Sequence, residues 1–295
     1  MPKQHTYHLL DIFTSSPFGG NQLAVFPDAD TIPSELMQII ANELNLSETV
    51  FVLPADQQGC DYRMRIFTPR MELPMAGHPT VGTGYLLAHL GKVRMGNGPI
   101  SLTMQQNVGP IGITIYPEEP WRVAMRQPKP QFGETLSNDG QIAALLGLSV
   151  DDLADYPRQV VSTGVPFLFV PLKSLDAAHR IQFNGDVWKQ HFNERHIYTF
   201  TMETELPGST VHSRMFAPAM GIAEDPATGA ASGPLGAYLL TYGLVNDSRI
   251  VNEQGVEMGR PSVITIQIDG HADNITGVEI SGTSVYMGQG TLHLP

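Results

Sequence analysis

One short sequence pattern occurs twice in this chain. Arg65-Ile-Phe-Thr-Pro69 recurs half a chain length later as Arg214-Met-Phe-Ala-Pro218. Each copy is followed by a short loop with a titratable residue before proline, His78-Pro79 or Asp225-Pro226, and then by an apolar, helix-compatible stretch. A strand–loop–helix unit that is repeated in this way predicts two similar halves. We expect the halves to face each other, with His78 and Asp225 on opposite sides of one cleft.

The bulk composition restricts the class of protein and its partners. At 295 residues the chain is long enough for about two domains, and its 42% hydrophobic and 16% charged residues are typical of a globular protein. The formal net charge of -12 provides no basic surplus for a nucleic-acid backbone or a membrane surface. We therefore expect a small-molecule ligand, with no nucleic-acid partner and no membrane partner.

Cysteine usage and the N-terminal sequence indicate the compartment. The single cysteine, Cys60, excludes an intramolecular disulfide and a cysteine-based zinc cluster. The first six residues are polar and lack the apolar core of a signal peptide, and no apolar run approaches the roughly 20 residues of a membrane helix. A cytoplasmic protein is predicted.

The order of the sequence patterns predicts an α+β fold with two pseudo-symmetric halves, 1–128 and 129–295. In each half we expect a barrel-like, mostly antiparallel sheet around a central helix, with the active cleft between the halves. The linker is predicted at Pro128, Pro130 and Gly133, and the last strand is allowed to cross back to the first half. Helices are predicted at residues 34–44, with Ser34 as the cap, and at 80–91, 142–146, 174–194 and 229–242.

Glu48 is the first candidate for chemistry. It lies in Leu46-Ser-Glu-Thr-Val-Phe51, where a helix ends and an apolar strand begins. A carboxylate at the mouth of an apolar strand suits a general acid/base. A solvent-facing glutamate at a helix end is the alternative explanation.

His78 and Asp225 are the other two candidates for catalysis. His78 lies where a helix opens, so backbone amides could hold an anionic group while the imidazole donates or relays a proton. A structural histidine is the alternative. Asp225 precedes the second helix and could cap its N-terminus, act in catalysis, or do both. A catalytic role is favoured for both residues because they fall in corresponding places of the repeat.

The sequence carries no motif for a cofactor or a metal ion. Gly82-Thr-Gly84 fails the dinucleotide fingerprint because Leu87 stands where the third glycine is required. There is no Walker loop, nucleophile elbow or His-Glu-x-x-His helix. The ten histidines are dispersed, so we predict no metal site and no cofactor.

Motifs along most of the chain resemble the PhzF-like phenazine-biosynthesis family, which is related in fold to diaminopimelate epimerases and proline racemases. The motifs that carry the resemblance keep their order along the chain: Asp11-x-Phe13, Gly20-Asn21, Asn45-Leu-Ser-Glu48, Arg65-Ile-Phe-Thr-Pro69, Glu72-Leu-Pro74, Ala76-Gly-His-Pro79, Arg214-Met-Phe-Ala-Pro218, Glu224-Asp-Pro-Ala-Thr-Gly229, Gln254-Gly255, Gly259-Arg-Pro261 and Ser281-Gly282.

The resemblance implies a cofactor-free isomerase in which Glu48 moves a proton on a small carboxylate-bearing substrate. His78 and Asp225 would relay the proton, and the protein would be a homodimer. The substrate pocket implied in this way contains Asn21, Ser47, Gly77, Thr228, Gly229 and Ser232. One position departs from the phenazine enzyme, which has a serine after the Thr-Gly pair where this chain has Ala230.

Two other functions remain open from the sequence. A two-base epimerase or racemase could use Glu48 and Asp225 on opposite faces of a small chiral acid. A metabolite-binding protein could keep the cleft without turnover. Loss of stereochemistry would identify the epimerase, and binding without proton exchange would identify the binding protein.

Overall fold

The computed structural model describes residues 3–294, in which helices and strands follow one another in α+β order. The helices are α1 Ser34–Leu44, α2 Gly77–His89, α3 Asp139–Leu146, α4 Leu175–His179, α5 Gly185–His191 and α6 Gly229–Thr241. The strands are β1 Lys3–Ile12, β2 Asn21–Phe26, β3 Glu48–Pro54, β4 Tyr62–Phe67, β5 Glu72–Leu73, β6 Ile100–Gln106, β7 Gly109–Tyr116, β8 Arg122–Gln127, β9 Gln131–Leu136, β10 Arg158–Ser162, β11 Pro166–Pro171, β12 His196–Thr201, β13 Val211–Ala217, β14 Ile222–Asp225, β15 Arg249–Gln254, β16 Ser262–His271 and β17 Asn274–Leu294.

Contacts within the chain define two compact units. Residues 3–126 together with 280–294 form the first unit, and residues 127–279 form the second. The C-terminal part of β17 therefore belongs to the first unit, where it pairs with β1 from Lys3↔Leu294 to Ile12↔Ser284. None of the helices in residues 3–294 is long and apolar enough to cross a membrane.

The sheet of the first unit closes on itself. β1 pairs antiparallel with β2, β2 runs parallel to β3, β3 is antiparallel to β4, and β4 is parallel to β6. β6, β7 and β8 continue as an antiparallel series, and β17 pairs with both β8 and β1. The expected barrel-like sheet is thus confirmed for this unit.

Helix α2 is buried on nearly every side within the first unit, and only Tyr85 and His89 are not fully covered. Glycines allow this close packing. A Cβ on Gly82 would come within 2.5 Å of Ile12 and 2.7 Å of Leu23, and a Cβ on Gly84 within 2.6 Å of Ile113. Larger residues would push the helix away from the strands.

The second unit repeats this order of pairing. β10 and β11 are antiparallel, β11 and β12 parallel, β12 and β13 antiparallel, β13 and β15 parallel, and β15 and β16 antiparallel. Helix α6 has the same length as α2 and is equally covered, with Gly236 against Ile266 and Ile268 of β16. The two similar halves predicted from the repeated arginine motif are therefore confirmed.

The repeated motif holds each sheet together rather than carrying out chemistry. Nε and Nη2 of Arg65 contact the two carboxylate oxygens of Glu72 at 2.8 and 2.7 Å, and Arg214 contacts Glu224 in the same way at 2.8 and 2.9 Å. Such bidentate pairs are rigid and strong. Each arginine thus ties the strand it lies on to the short strand that follows.

Three local predictions are wrong. The helix expected over 174–194 is two helices, because the side chain of Asn184 caps a new start by accepting from the amides of Asp186 and Val187. Pro33, not Ser34, occupies the cap position of α1, and the Ser34 hydroxyl contacts Arg65 instead. Gly133, predicted in a linker with Pro128 and Pro130, lies within strand β9.

Candidate active site

Glu48 is the first residue of β3 and is almost fully buried, with 6% of its surface exposed. Helix α1 ends at Leu44, and the left-handed backbone of the following residue, Asn45 (φ 51°), turns the chain toward the strand. β3 then enters the sheet beside β2, with Glu48 opposite Leu23. The alternative of a solvent-facing glutamate is wrong.

His78 lies against Glu48 in the same unit. It is the second residue of α2 and only 3% exposed, and its Nε2 lies 3.0 Å from Oε2 of Glu48. Its Nδ1 lies 3.2 Å from Nδ2 of Asn21, the first residue of β2. An amide nitrogen can only donate, so Nδ1 accepts this bond, and the proton of a neutral imidazole is on Nε2. Nε2 lies close to Oε2 of Glu48, but the two atoms are not aligned as a hydrogen bond.

The turn before Asn21 requires glycine. Gly20 has a left-handed backbone (φ 61°), and a Cβ there would lie 2.2 Å from the carbonyl oxygen of Ile12. The carboxylate of Asp11 accepts the backbone N–H of Phe18 at 2.8 Å and fixes the start of the same turn. Asn21 is therefore held in place for its contact with His78.

The chemistry available to this group of residues is proton transfer. A buried carboxylate beside a donor imidazole can take up a proton and release it again, and the amide of Asn21 orients the imidazole. Ser47 directly precedes Glu48, and Gly77 is the first residue of α2. Their contacts with substrate stay predictions.

Asp225 belongs to the second unit, where it ends β14 and is 3% exposed. Its Oδ2 accepts the hydroxyl of Thr228 at 2.6 Å. The residue at the cap position of α6 is Thr228, so the prediction that Asp225 caps this helix is wrong. The carboxylate instead fixes the residue that precedes the helix.

Sequence reasoning did not single out Gln254 as a site residue, although the residue organises the surroundings of Asp225. It is fully buried. Its Nε2 donates to the carbonyl of Asp225 at 2.7 Å and to the hydroxyl of Thr228 at 2.9 Å. Its Oε1 accepts from the Thr228 amide at 3.0 Å and from the Tyr198 hydroxyl at 3.1 Å. Burial raises the pKa of Tyr198 to about 12, which keeps that hydroxyl a donor.

The remaining predicted ligand contacts of the second unit lie at the start of α6. Gly229 is its first residue, and its carbonyl accepts from Nε2 of Gln127 at 2.9 Å. Ser232 is fully buried; its hydroxyl donates to the Thr228 carbonyl at 3.0 Å and accepts from Asn252 at 3.2 Å. Ser232 thus has a structural use, and its predicted role in substrate binding stays a prediction.

The repeat does not place His78 and Asp225 in corresponding positions. α2 begins twelve residues after Arg65, whereas α6 begins fifteen residues after Arg214, because a turn at Pro218–Met220 lengthens the second copy. With the helix starts aligned, His78 corresponds to Ala230, and Asp225 lies before its helix. The sequence argument that linked the two residues by position is therefore wrong.

Comparisons with known proteins agree with this fold. The family described as "Phenazine biosynthesis-like protein" matches residues 10–290. A trans-2,3-dihydro-3-hydroxyanthranilate isomerase of Pseudomonas fluorescens is 38% identical over 98% of this chain and 100% of its own. The crystal structure of a PhzF-family phenazine biosynthesis protein of Bacillus anthracis superposes with a TM-score of 0.89 at 32% identity, over 99% of this chain and 100% of the other. A hydroxyproline epimerase of Agrobacterium vitis shares the fold with a TM-score of 0.69 at 12% identity, over 100% of this chain and 94% of its own.

The sheet wrapped around a buried helix agrees with the fold of these relatives, and the match to curated isomerases extends along nearly the whole chain. Together they identify this protein as an isomerase. The chain belongs to the phenazine biosynthesis-like, or PhzC-PhzF, family. The family resemblance, the fold class and the enzyme class predicted from the sequence are thereby confirmed.

Proposed function

We propose that this isomerase moves a proton between two carbons of a small, unsaturated carboxylate-bearing metabolite, with Glu48 as the proton carrier. The observation that supports this proposal most directly is the buried 3.0 Å contact between Glu48 and His78. The relatives named trans-2,3-dihydro-3-hydroxyanthranilate isomerase suggest a substrate of that kind. Ala230, where the phenazine enzyme has serine, argues for testing related acids beside that compound.

The proposed reaction needs no net oxidant or reductant. The Glu48 carboxylate takes a proton from an activated carbon, so a C–H bond breaks and an O–H bond forms. The electron pair of that bond enters the conjugated system of the substrate. Glu48 then returns the proton to a different carbon and is again a carboxylate, next to the Nε2–H of His78 as it was before the first step. Asp225 is proposed to relay a proton or to hold a polar substituent of the substrate.

The substrate carboxylate is proposed to bind at the start of a helix. Helix N-termini carry about half a positive charge, concentrated in the first turn. Gly77 and His78 are the first residues of α2, and Thr228 occupies the cap position of α6, which begins at Gly229. These local amides can attract an anion although the chain carries a net charge of -12, because salt screens the diffuse surface charge.

The decisive experiment follows proton exchange with the variant Glu48→Gln. The amide keeps the shape of the side chain but cannot carry a proton. In deuterated water under single-turnover conditions, wild type should incorporate or transfer hydrogen at the reacting carbon, and Glu48→Gln should lose at least about two orders of magnitude in rate. Glu43→Gln, the same change on the exposed side of α1, is the matched control and should remain fully active.

The same assay separates the rival functions. Normal turnover by Glu48→Gln would show that another residue carries the proton. Racemisation of a chiral acid would identify a two-base epimerase, and ligand binding without exchange would identify a binding protein. We also expect activity to survive chelation; loss that a divalent ion restores would contradict cofactor-free catalysis.

A further inference from the structure

His212 of strand β13 is a buried, titratable residue that the proposed reaction does not use. It is fully covered, and it lies opposite Glu253 of the parallel strand β15. Nδ1 of His212 lies 2.8 Å from Oε1 of Glu253, and its Nε2 lies 2.9 Å from Oε1 of Glu257, in the loop after β15. Each ring nitrogen therefore faces a carboxylate at hydrogen-bonding distance.

Two carboxylates at the two ring nitrogens require a charged imidazole. A neutral imidazole has one N–H group and one lone pair, and only the N–H group can donate. Whichever nitrogen of His212 lacked the proton would place its lone pair against a carboxylate oxygen. The imidazolium donates from both nitrogens, and its charge strengthens both bonds. Only the charged form satisfies both contacts.

The acid–base balance of the three groups agrees with this geometry. Burial alone would lower the pKa of His212, but the hydrogen bonds to Glu253 and Glu257 raise it to about 9. Burial would raise the pKa of each glutamate, but the hydrogen bonds from His212 lower the pKa of both. The imidazole is therefore protonated and the two carboxylates are ionised at neutral pH.

The other charged groups near His212 are engaged elsewhere. They lie on α4, on β13 and β14, and in the loop before β13: His179, Arg214, Glu224 and Glu205. The ring of His179 meets that of His212 edge to face at a centroid distance of 6.1 Å, and its Nε2 contacts Glu205 at 2.5 Å. Arg214 lies 3.9 Å from Glu257, but its guanidinium donates to both carboxylate oxygens of Glu224. The positive charge between Glu253 and Glu257 thus comes from His212.

Glu253 connects His212 to the surroundings of Asp225. Side chains alternate between the two faces of a strand, so Glu253 and Gln254 project to opposite faces of β15. On one face Glu253 contacts His212. On the other face Gln254 donates to the carbonyl of Asp225 at 2.7 Å and accepts from the amide of Thr228 at 3.0 Å. A displacement of β15 at His212 would therefore reach the residues before α6.

The contact at His212 has a large effect on β15 because the strands pair over a short length. The parallel pairing of β13 with β15 covers residues 211–213 and 252–254, and His212 opposite Glu253 is the middle pair. The Glu253 carboxylate also accepts the backbone N–H groups of Glu205 and Leu206 at 2.7 and 2.8 Å, which ties the loop before β13 to the same point. Removing the positive partner of a buried carboxylate is strongly destabilising.

The corresponding position of the first unit also carries a cation. Arg63 lies two residues before Arg65, as His212 lies two residues before Arg214, and it pairs with Gln105 of β6 in the equivalent register. Arginine stays charged at every pH at which proteins fold. The second unit has its cation at the same place in the sheet, but on a buried group that can lose its proton.

We propose that His212, as an imidazolium, is a positioning residue that keeps β15 against β13 so that Gln254 can hold Asp225. Because the pKa of His212 lies above its ordinary value of 6.5, this stabilisation is fully present below pH 6.5 and is lost as pH rises through about 9. The inference rests on the proposed role of Asp225 in the reaction, and it is independent of which residue carries the proton.

Nitrogen-15 NMR of the full chain, labelled at histidine and glutamine, observes both ends of this connection. At about pH 7 both ring nitrogens of His212 should carry protons, and their signals should titrate with a midpoint near 9. The side-chain amide signal of Gln254 should shift with the same midpoint. His212→Gln identifies the His212 signals and should remove the titration of Gln254. His191→Gln, at an exposed position at the end of α5, is the control and should leave that titration unchanged.

Glu257→Gln keeps the test decisive if His212→Gln does not fold. It preserves the size of the side chain but removes one of the two negative charges, so the His212 midpoint should fall by about 1–3 pH units, and the Gln254 midpoint should fall with it. Glu194→Gln, at an exposed position before β12, should change neither midpoint.

Two results would overturn the proposal. A neutral His212 in wild type at about pH 7 would show that the charge is absent. A Gln254 signal that does not follow the titration of His212 would show that β15 transmits nothing to the site. Both results are read without substrate, so they are distinguishable from a failure of the proposed function, which the proton exchange of Glu48→Gln tests.

Discussion

Gln254→Met should destabilise the second unit far more than the same change at Gln106 destabilises the first. The register of strand pairing makes the two glutamines equivalent, since Arg63 pairs with Gln105 in β6 and His212 pairs with Glu253 in β15. Methionine has similar length and volume, so the substitution removes hydrogen bonds with little change in packing. The two sites differ in how many bonds the amide makes.

The magnitudes follow from the groups that lose a partner. At Gln254, two buried backbone groups lose their bonds, the amide of Thr228 and the carbonyl of Asp225. Each such loss costs about 1–3 kcal/mol, so about 2–6 kcal/mol is expected. At Gln106 the one bond goes to the Thr80 hydroxyl, which still donates to the carbonyl of Ala76. Oε1 of Gln106 has no hydrogen-bond partner within residues 3–294, so Gln106→Met should cost about 0–1 kcal/mol.

Urea unfolding at 25 °C, followed by circular dichroism, measures both variants against wild type. A loss of 2 kcal/mol or more is a large share of the roughly 5–15 kcal/mol that stabilises a typical domain, so it will be seen as a clear shift of the midpoint. Equal effects of the two variants, or a larger effect at Gln106, would refute the reasoning. Turnover should also fall in Gln254→Met, because the backbone around Asp225 is no longer held.

Three further perturbations have expected outcomes. Pairing with Arg65 holds the pKa of Glu72 below its ordinary value of 4.5. The stabilisation from this pair is fully present above pH 4.5 and is lost as the pH falls through the lowered pKa of Glu72. Glu72→Gln should therefore reduce the decrease in urea midpoint that wild type shows at acidic pH. Phe18 is 74% exposed with φ 69°, so Phe18→Gly should leave the melting temperature unchanged or raised, whereas Phe132→Gly in extended β9 should lower it. Gly236→Ala should lower the free energy of unfolding in urea by about 1–3 kcal/mol, because the added Cβ would lie 2.6 Å from Ile266. Gly185→Ala is the control and should not lower it, because a Cβ at that position has no atom within 4 Å.

The fold could be predicted largely from the sequence because its strongest signals are local and repeated. The arginine motif occurs twice, and each copy is followed by a helix made mostly of small and apolar residues. Such a helix has no polar face for solvent, so its composition predicts a helix enclosed by strands. The burial of Glu48 was left open by the sequence, because a carboxylate between a helix end and an apolar strand can face solvent or the core; the pairing of β3 with β2 places it inside.

The contacts that depend on distant parts of the chain could not be predicted. His212 and Glu253 meet because β13 runs parallel to β15, and no spacing in the sequence reveals that register. The offset between His78 and Asp225 arises from one extra turn after Pro218, which pattern matching at the arginines does not detect. The role of Gln254 could not be predicted either, because it depends on hydrogen bonds to Thr228 and Asp225 on a different part of the chain.

The assignment of the C-terminal part of β17 to the first unit has a consequence for synthesis on the ribosome. Residues 127–279 are contiguous, so the second unit is complete as soon as they have emerged. The first unit contains the earliest residues of the chain but closes only when residues 280–294 arrive to pair with β1 and β8. Until then β1 and β8 are open edges able to pair with other chains. The half of the protein that is made first is therefore the half whose sheet closes last.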